Sequence, residues 1–202
     1  MNLRALTLLL TLLFALPVHA DTEAPDALVS RVSGEVLQIL QGSTSAPGSA
    51  EVIARVKEKI LPHFDFSRMT ALATGIGWRS ASSGQQAELT EQFRTLLVRT
   101  YSSALSKYKD QTLEFLPTRE SADKNKVIVR SLLKQPGAPA IAVDYRMASG
   151  SEGWKVYDVV VDGVSLVTTY RDAFSNEVRS NGIDGLIRML NDKNAALAQS
   201  AQ

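Results

Sequence analysis

Cysteine is absent from the chain. Thiol nucleophiles, thiolate metal ligands, haem attachment through cysteine and disulfide staples are all excluded by that one fact. Histidine is nearly as scarce, with 2 in the sequence, His19 and His63. An imidazole-based transition-metal site needs more ligands than this, and a Ser-His hydrolase would have only His63 as its base once the N-terminal leader described below is removed. Charge of one sign is lacking too: 22 lysines and arginines face 21 aspartates and glutamates. Nucleic-acid binding, which needs a clustered basic face to displace counterions, is therefore not expected. No glycine-rich phosphate loop lies between a strand pattern and a helix pattern.

The long apolar runs are confined to the start. Arg4, the run from Ala5 to Leu16 and the small-x-small close Val18-His19-Ala20 before Asp21 are the three parts of a secretory signal. Cleavage is expected after Ala20, and the run is shorter than the roughly 20 residues a bilayer span requires. Residues 1–20 contain Arg4 and no acid, so the mature chain, with 20 of 202 residues removed, has 182 and a formal charge of zero. That length is one domain, 21–202, and large enough to bury a core unaided. Export without disulfides points to a bacterial periplasm.

Helical periodicity opens the mature chain. Val29, Val32, Val36, Ile39 and Leu40 form one stripe, and Val52, Ile53, Val56 and Ile60 another after the Ser/Gly/Pro-rich turn 42–48. Asp65 is placed to cap a short helix, and Gly75 and Gly77 permit a bend before Trp78. The longest stripe, Leu89, Phe93, Leu96, Leu97, Thr100, Tyr101 and on to Tyr108, follows Ser82 and Ser83, with Gln85 and Gln86 positioned to reach back to a capping serine. Beyond Lys109 the texture changes to strands near 112–119, 126–134, 140–148 and 154–161, joined by short turns that imply antiparallel pairing. Two helices, 165–179 and 183–198, close the chain around Asn181-Gly182. The expected fold is α+β: a curved four-stranded antiparallel sheet with helices packed on one face, which can enclose a hydrophobic cavity or a filled core.

The stretch Trp154–Tyr170 is where sheet and helix meet. Strict alternation places Tyr157, Val159 and Val161 on one face, and Trp154, Val156, Asp158 and Val160 on the other. Leu166, Tyr170, Phe174 and Val178 then recur four apart. Ser165 after Gly163-Val164 faintly resembles a nucleophile elbow, but a helix cap suits it better. Asp144 and Asp158, on neighbouring strands, are the remaining catalytic candidates; with Arg146 and Lys155 nearby they also read as a surface ion-pair network.

Taken in order, Pro62-His63-Phe64-Asp65-Phe66, Met69, Trp78-Arg79, Gln85-Gln86, Phe93, Leu96-Leu97, Tyr101, Asp144-Tyr145, Trp154-Lys155-Val156-Tyr157-Asp158-Val159, Gly163-Val164-Ser165-Leu166, Tyr170-Arg171 and Phe174 resemble the MlaC family over about residues 24–195. This family comprises periplasmic phospholipid-binding components of the Mla system, also called toluene-tolerance or ABC-transporter auxiliary proteins. The resemblance implies a monomeric, non-enzymatic phospholipid carrier that uses no cofactor, its phospholipid being cargo. It would run between an outer-membrane lipoprotein–porin complex and an inner-membrane ABC transporter with an MCE-domain subunit, maintaining outer-membrane asymmetry. Acyl chains would be lined by Tyr145, Met147, Tyr157, Val159 and Val161 from the sheet, Leu166, Tyr170 and Phe174 from the corner, and Phe93, Leu97 and Tyr101 from the long helix. Phe66 and Met69 would stand at the entrance, with the headgroup projecting into solvent. A hydrolase using Asp144 and Asp158 and an adaptor with a solid core are the alternatives.

Overall fold

The computed structural model describes residues 23–46, 48–105 and 111–199. The expected leader, and Tyr108 at the end of the long helical stripe, lie outside them. Helix α1 spans Pro25–Gly42 and begins on a proline, whose fixed φ suits a first turn and whose missing N–H has no helical partner to lose. Helix α2 spans Ala50–Ile60 and is capped by Ser49, which accepts from the Val52 N–H at 3.4 Å. Val52 and Val56 pack against Ile39 and Leu40, closing α1 and α2 into a hairpin. A 3₁₀ turn, Leu61–His63, leads to α3, Phe66–Thr74, where Asp65 Oδ1 accepts from the Arg68 N–H at 2.9 Å. After the single turn α4, Gly77–Ser80, a capping box starts α5, Ser83–Leu105, and of the two candidate serines it is Ser82 that caps. There Ser82 Oγ accepts from the Gln85 N–H at 3.3 Å, and the Gln85 side chain accepts from the Ser82 N–H at 2.9 Å.

The strands are β1 Thr112–Glu120, β2 Lys126–Lys134, β3 Ile141–Gly150, β4 Gly153–Val161 and β5 Val164–Ser165. They form one antiparallel meander in sequence order. The sheet therefore has five strands where the periodicity implied four. Asp162 and Gly163, both at positive φ, make a two-residue hairpin turn that folds Val164 and Ser165 back onto β4. A two-residue strand carries no period, so only the Asp-Gly turn could have announced it.

The expected alternation in β4 is also corrected. Arg146 pairs with Asp158 but Met147 pairs with Val156, leaving Tyr157 as an extra, unpaired residue in a bulge. The phase of the strand slips there. Trp154 and Val156 consequently join Val159 and Val161 on the face that packs against Leu28 and Val29 of α1, and Tyr157 leaves that face. The last helix, α6, runs Arg171–Gln199 and breaks at Gly182 (φ 70, ψ −172), where Asn181-Gly182 marked a boundary.

Two large cores result. Between α3, α5 and α6 lie Met69, Leu89, Phe93, Leu96, Phe174, Leu186 and Leu190; between α1 and the sheet lie Leu28, Val29, Val127, Val129, Met147, Val156 and Val159. Phe64 packs against both.

Candidate functional site

The segment that follows α2 is stitched to the sheet rather than free. The Phe64 N–H donates to the Leu61 carbonyl at 3.2 Å, Phe64 bridges to Val156, and the Asp65 N–H donates to the Val156 carbonyl at 2.9 Å. Backbone pairing of this kind fixes where the Phe64 side chain stands, and its ring stacks on Phe66 at 5.7 Å between centroids. Three recesses meet around it.

On one side is an apolar pocket of about 210 Å³, bounded by α1 through Val29, Val32 and Val36 and by the sheet through Tyr145, Met147 and Val156. On the other is an apolar pocket of about 170 Å³ between α2, α5 and the corner, with Val56, Leu97, Val98, Tyr101, Val159 and Leu166 in its wall. Phe64 and Ile60 line both. The third recess, about 520 Å³, lies between residues 61–68 and the β3–β4 hairpin and is polar, with Arg68, Arg94, Lys155, Asp65, Glu91 and Glu152 around it. Phe64 and Phe66 belong to its wall as well.

Few polar groups touch the apolar pockets, and burial shifts His63, Tyr145 and Tyr101 among them. His63, in the first pocket, has its pKa lowered by desolvation, with the Arg31 charge adding to the effect. Burial pushes the Tyr145 hydroxyl up while it hydrogen-bonds Ser131 and Ser33, tying the sheet to α1. Burial likewise raises Tyr101, whose hydroxyl meets Tyr170 at the edge of the second pocket.

The residues singled out from the sequence divide by place. Phe66, Met69, Leu97, Tyr101, Val159 and Leu166 line the second apolar pocket, and Tyr145 and Met147 line the first. Phe93, Tyr170 and Phe174 do not line either: they pack on one another inside the helical core, with Phe93 5.2 Å from each of the other two. The α5 stripe at Phe93 faces α3 and α6 and not the sheet, and Phe174 of α6 faces back toward it. Val161 packs at the margin of the sheet core and lines neither pocket. Tyr157, displaced by the bulge, lies under the Arg68 guanidinium at 4.4 Å. The α1 wall and Phe64 itself were missed as lining, although the Val29-Val32-Val36 stripe was visible; a stripe records that a face is buried, not what it meets.

Asp144 and Asp158 share the outer face of the sheet. Asp144 stands 3.9 Å from Arg130. Asp158 is 2% exposed and fully engaged: it accepts from Ser165 Oγ at 2.7 Å, the Val167 N–H at 3.2 Å and Arg146 at 3.0 Å. Ser165 Oγ in turn accepts from the Thr168 N–H at 3.0 Å, tying β5 to the start of the 3₁₀ turn Thr168–Tyr170. Nucleophile and base geometry is not what this cluster presents; it closes the corner between β4 and α6. Among the described residues no three His, Asp or Glu side chains converge, and no helix is long and apolar enough to cross a membrane.

The family model described as MlaC protein matches residues 30–192. The intermembrane phospholipid transport system binding protein MlaC of Haemophilus influenzae is 24% identical over 189 residues, covering 90% of this chain and 87% of that protein. The toluene tolerance protein ttg2D of Pseudomonas putida is 27% identical over 106 residues, 52% of this chain and 49% of the relative. Among solved structures, a phospholipid-binding protein from Ralstonia solanacearum in complex with a phospholipid superposes with a TM-score of 0.78 at 35% identity, over 86% of this chain and 98% of that one.

Proposed function

We propose, starting from the fact that this chain belongs to the MlaC family, that it is a periplasmic phospholipid carrier that performs no covalent chemistry. The observation that carries the reading is the pair of apolar pockets between helices and sheet, parted by Phe64, in the fold of a relative solved with a phospholipid. Burying two acyl chains of about fifteen methylenes each is worth roughly 24 kcal/mol relative to water, at ~0.8 kcal/mol per methylene. A carrier takes its lipid from one bilayer and returns it to another, so its pockets need only match hydrocarbon. Loading and unloading are then close to balanced, and direction comes from the partners. Those partners are an inner-membrane ABC transporter with an MCE-domain subunit and an outer-membrane lipoprotein–porin complex, between which a monomer, freed of its leader after Ala20, diffuses.

The catalytic alternative loses ground to the engagement of Asp158, whose carboxylate has three donors on it already. An adaptor with a solid core is disfavoured by the pockets themselves. Native mass spectrometry of the protein purified from periplasm tests the proposal: a complex heavier than the mature chain by one phospholipid is expected. Protein that is lipid-free as isolated and takes none from vesicles would refute it.

A further inference from the structure

Three recesses around one aromatic ring have the topology of a diacyl lipid: two apolar chambers and one polar recess, with Phe64 in the wall of each. Within the polar recess the bases are not equivalent. Arg94 pairs with Glu91 at 3.0 Å and Lys155 pairs with Glu152. Asp65 is occupied as a helix cap. Arg68 has no ion-pair partner among the described residues; its guanidinium lies on the Tyr157 ring at 4.4 Å. Stacking of this sort orients the planar fork and leaves its edge N–H donors available to an oxyanion. The β4 bulge is what makes the platform, because it takes Tyr157 out of the inward row and sets it beneath α3.

We infer that a diacyl glycerophospholipid sits astride Phe64, one acyl chain in each apolar chamber, with its phosphate held in the polar recess by Arg68. This rests on the carrier reading and deepens it, replacing a headgroup loose in solvent with one that is recognised. Phe64 is the fork between chains. Arg68 is the headgroup ligand, and Tyr157 is the positioning residue that aims it.

The test compares the mature wild-type chain with Arg68→Gln, Val32→Trp and Val98→Trp, the tryptophans filling one chamber each. Each protein is equilibrated with phosphatidylethanolamine vesicles, with vesicles carrying diacylglycerol of the same chains, and with lysophosphatidylethanolamine, and the retained lipid is counted by mass spectrometry. Loss of charge-assisted hydrogen bonds predicts that Arg68→Gln retains roughly tenfold less phosphatidylethanolamine or lower still, while its diacylglycerol retention equals wild type. Either tryptophan variant is expected to lose the two-chain lipid and keep the one-chain lipid. Val32→Phe and Val98→Phe serve where a tryptophan variant does not fold. Unchanged phosphatidylethanolamine in Arg68→Gln, or equal loss of both lipids, overturns the headgroup assignment. Unchanged two-chain retention in a filled chamber, or loss of the one-chain lipid from a folded variant, overturns the fork. Inorganic phosphate binding that depends on Arg68 while lipid retention does not would make the recess a free-anion site and also overturn the assignment. A wild-type protein that retains no lipid at all would instead refute the carrier reading beneath it.

Discussion

Changing Asp158 to asparagine separates a structural corner from a catalytic one. The side chain is 2% exposed, and its two oxygens receive the Ser165 hydroxyl, the Val167 N–H and the Arg146 guanidinium. Asparagine keeps one acceptor oxygen and presents an NH₂ to the remaining donors, so at least one charge-assisted bond is lost and a donor faces a donor. A hydrogen bond to a charged group contributes about 1.5–3 kcal/mol, which sets the expected loss for Asp158→Asn at roughly 2–3 kcal/mol. Asp158→Ala should cost about 3–5 kcal/mol, because the buried Val167 N–H and Ser165 hydroxyl then have no acceptor; Arg146, with its side chain 40% exposed, can rehydrate. For a chain of this length about 2–4 °C accompanies each kcal/mol, giving a melting temperature lower by roughly 4–12 °C for asparagine. Urea denaturation should show a lower midpoint at an unchanged slope, since the surface exposed on unfolding is the same. Where the variant is still folded, its lipid content should equal that of wild type. An Asp158→Asn protein as stable as wild type refutes the structural argument, and one that is stable but has lost a lipid-cleaving activity establishes the catalytic reading in its place.

Two further outcomes follow from single positions. Gly182→Ala should destabilise by about 1–3 kcal/mol in the same denaturation assay, because φ 70, ψ −172 is a conformation only glycine adopts freely, while nothing within 4 Å would obstruct the added methyl. His63 has a folded pKa below its ordinary 6.5, so the unfolded chain binds a proton first as the solution is acidified. Its contribution to stability is therefore complete above about pH 6.5 and is lost as pH falls through that value toward the folded pKa. The salt-bridged carboxylates Glu23 and Glu35, whose ordinary value is 4.5, act only at lower pH. The urea midpoint should fall between pH 8 and pH 5, and His63→Gln should flatten that dependence; an equal fall in the variant would assign it elsewhere.

Local information sufficed for much of the architecture. The strand β2 occupies Lys126–Lys134, the very span its alternation and flanking turns indicated. Asp65, Ser82 and Gln85 cap as their spacing required, because a cap is decided within four residues of backbone. The break at Gly182 and the meander of short-linked strands were legible for the same reason. The order of the motifs from Pro62 to Phe174 pointed to the MlaC family, whose model matches residues 30–192.

What the sequence settled by itself is the order of the main helices and strands, their caps and turns, and the side of most of them that turns away from water, since these arise from neighbours within a turn or a strand; the two-residue β5 and the start of α6 at Arg171 rather than Ser165 lay outside it. The fold alone decided what those buried sides meet. Phe93 on the α5 stripe and Tyr170 and Phe174 on the corner stripe look like pocket residues, yet they meet one another in the solid core between α3, α5 and α6. Tyr157 alternates faultlessly on paper, but a bulge belongs to a pair of strands and not to one, so its side chain left the inward face only when β3 and β4 came together. Phe64 lies in a loop with no period at all and stands where three recesses converge, because its backbone pairs with Val156, ninety-two positions further along the chain by residue number.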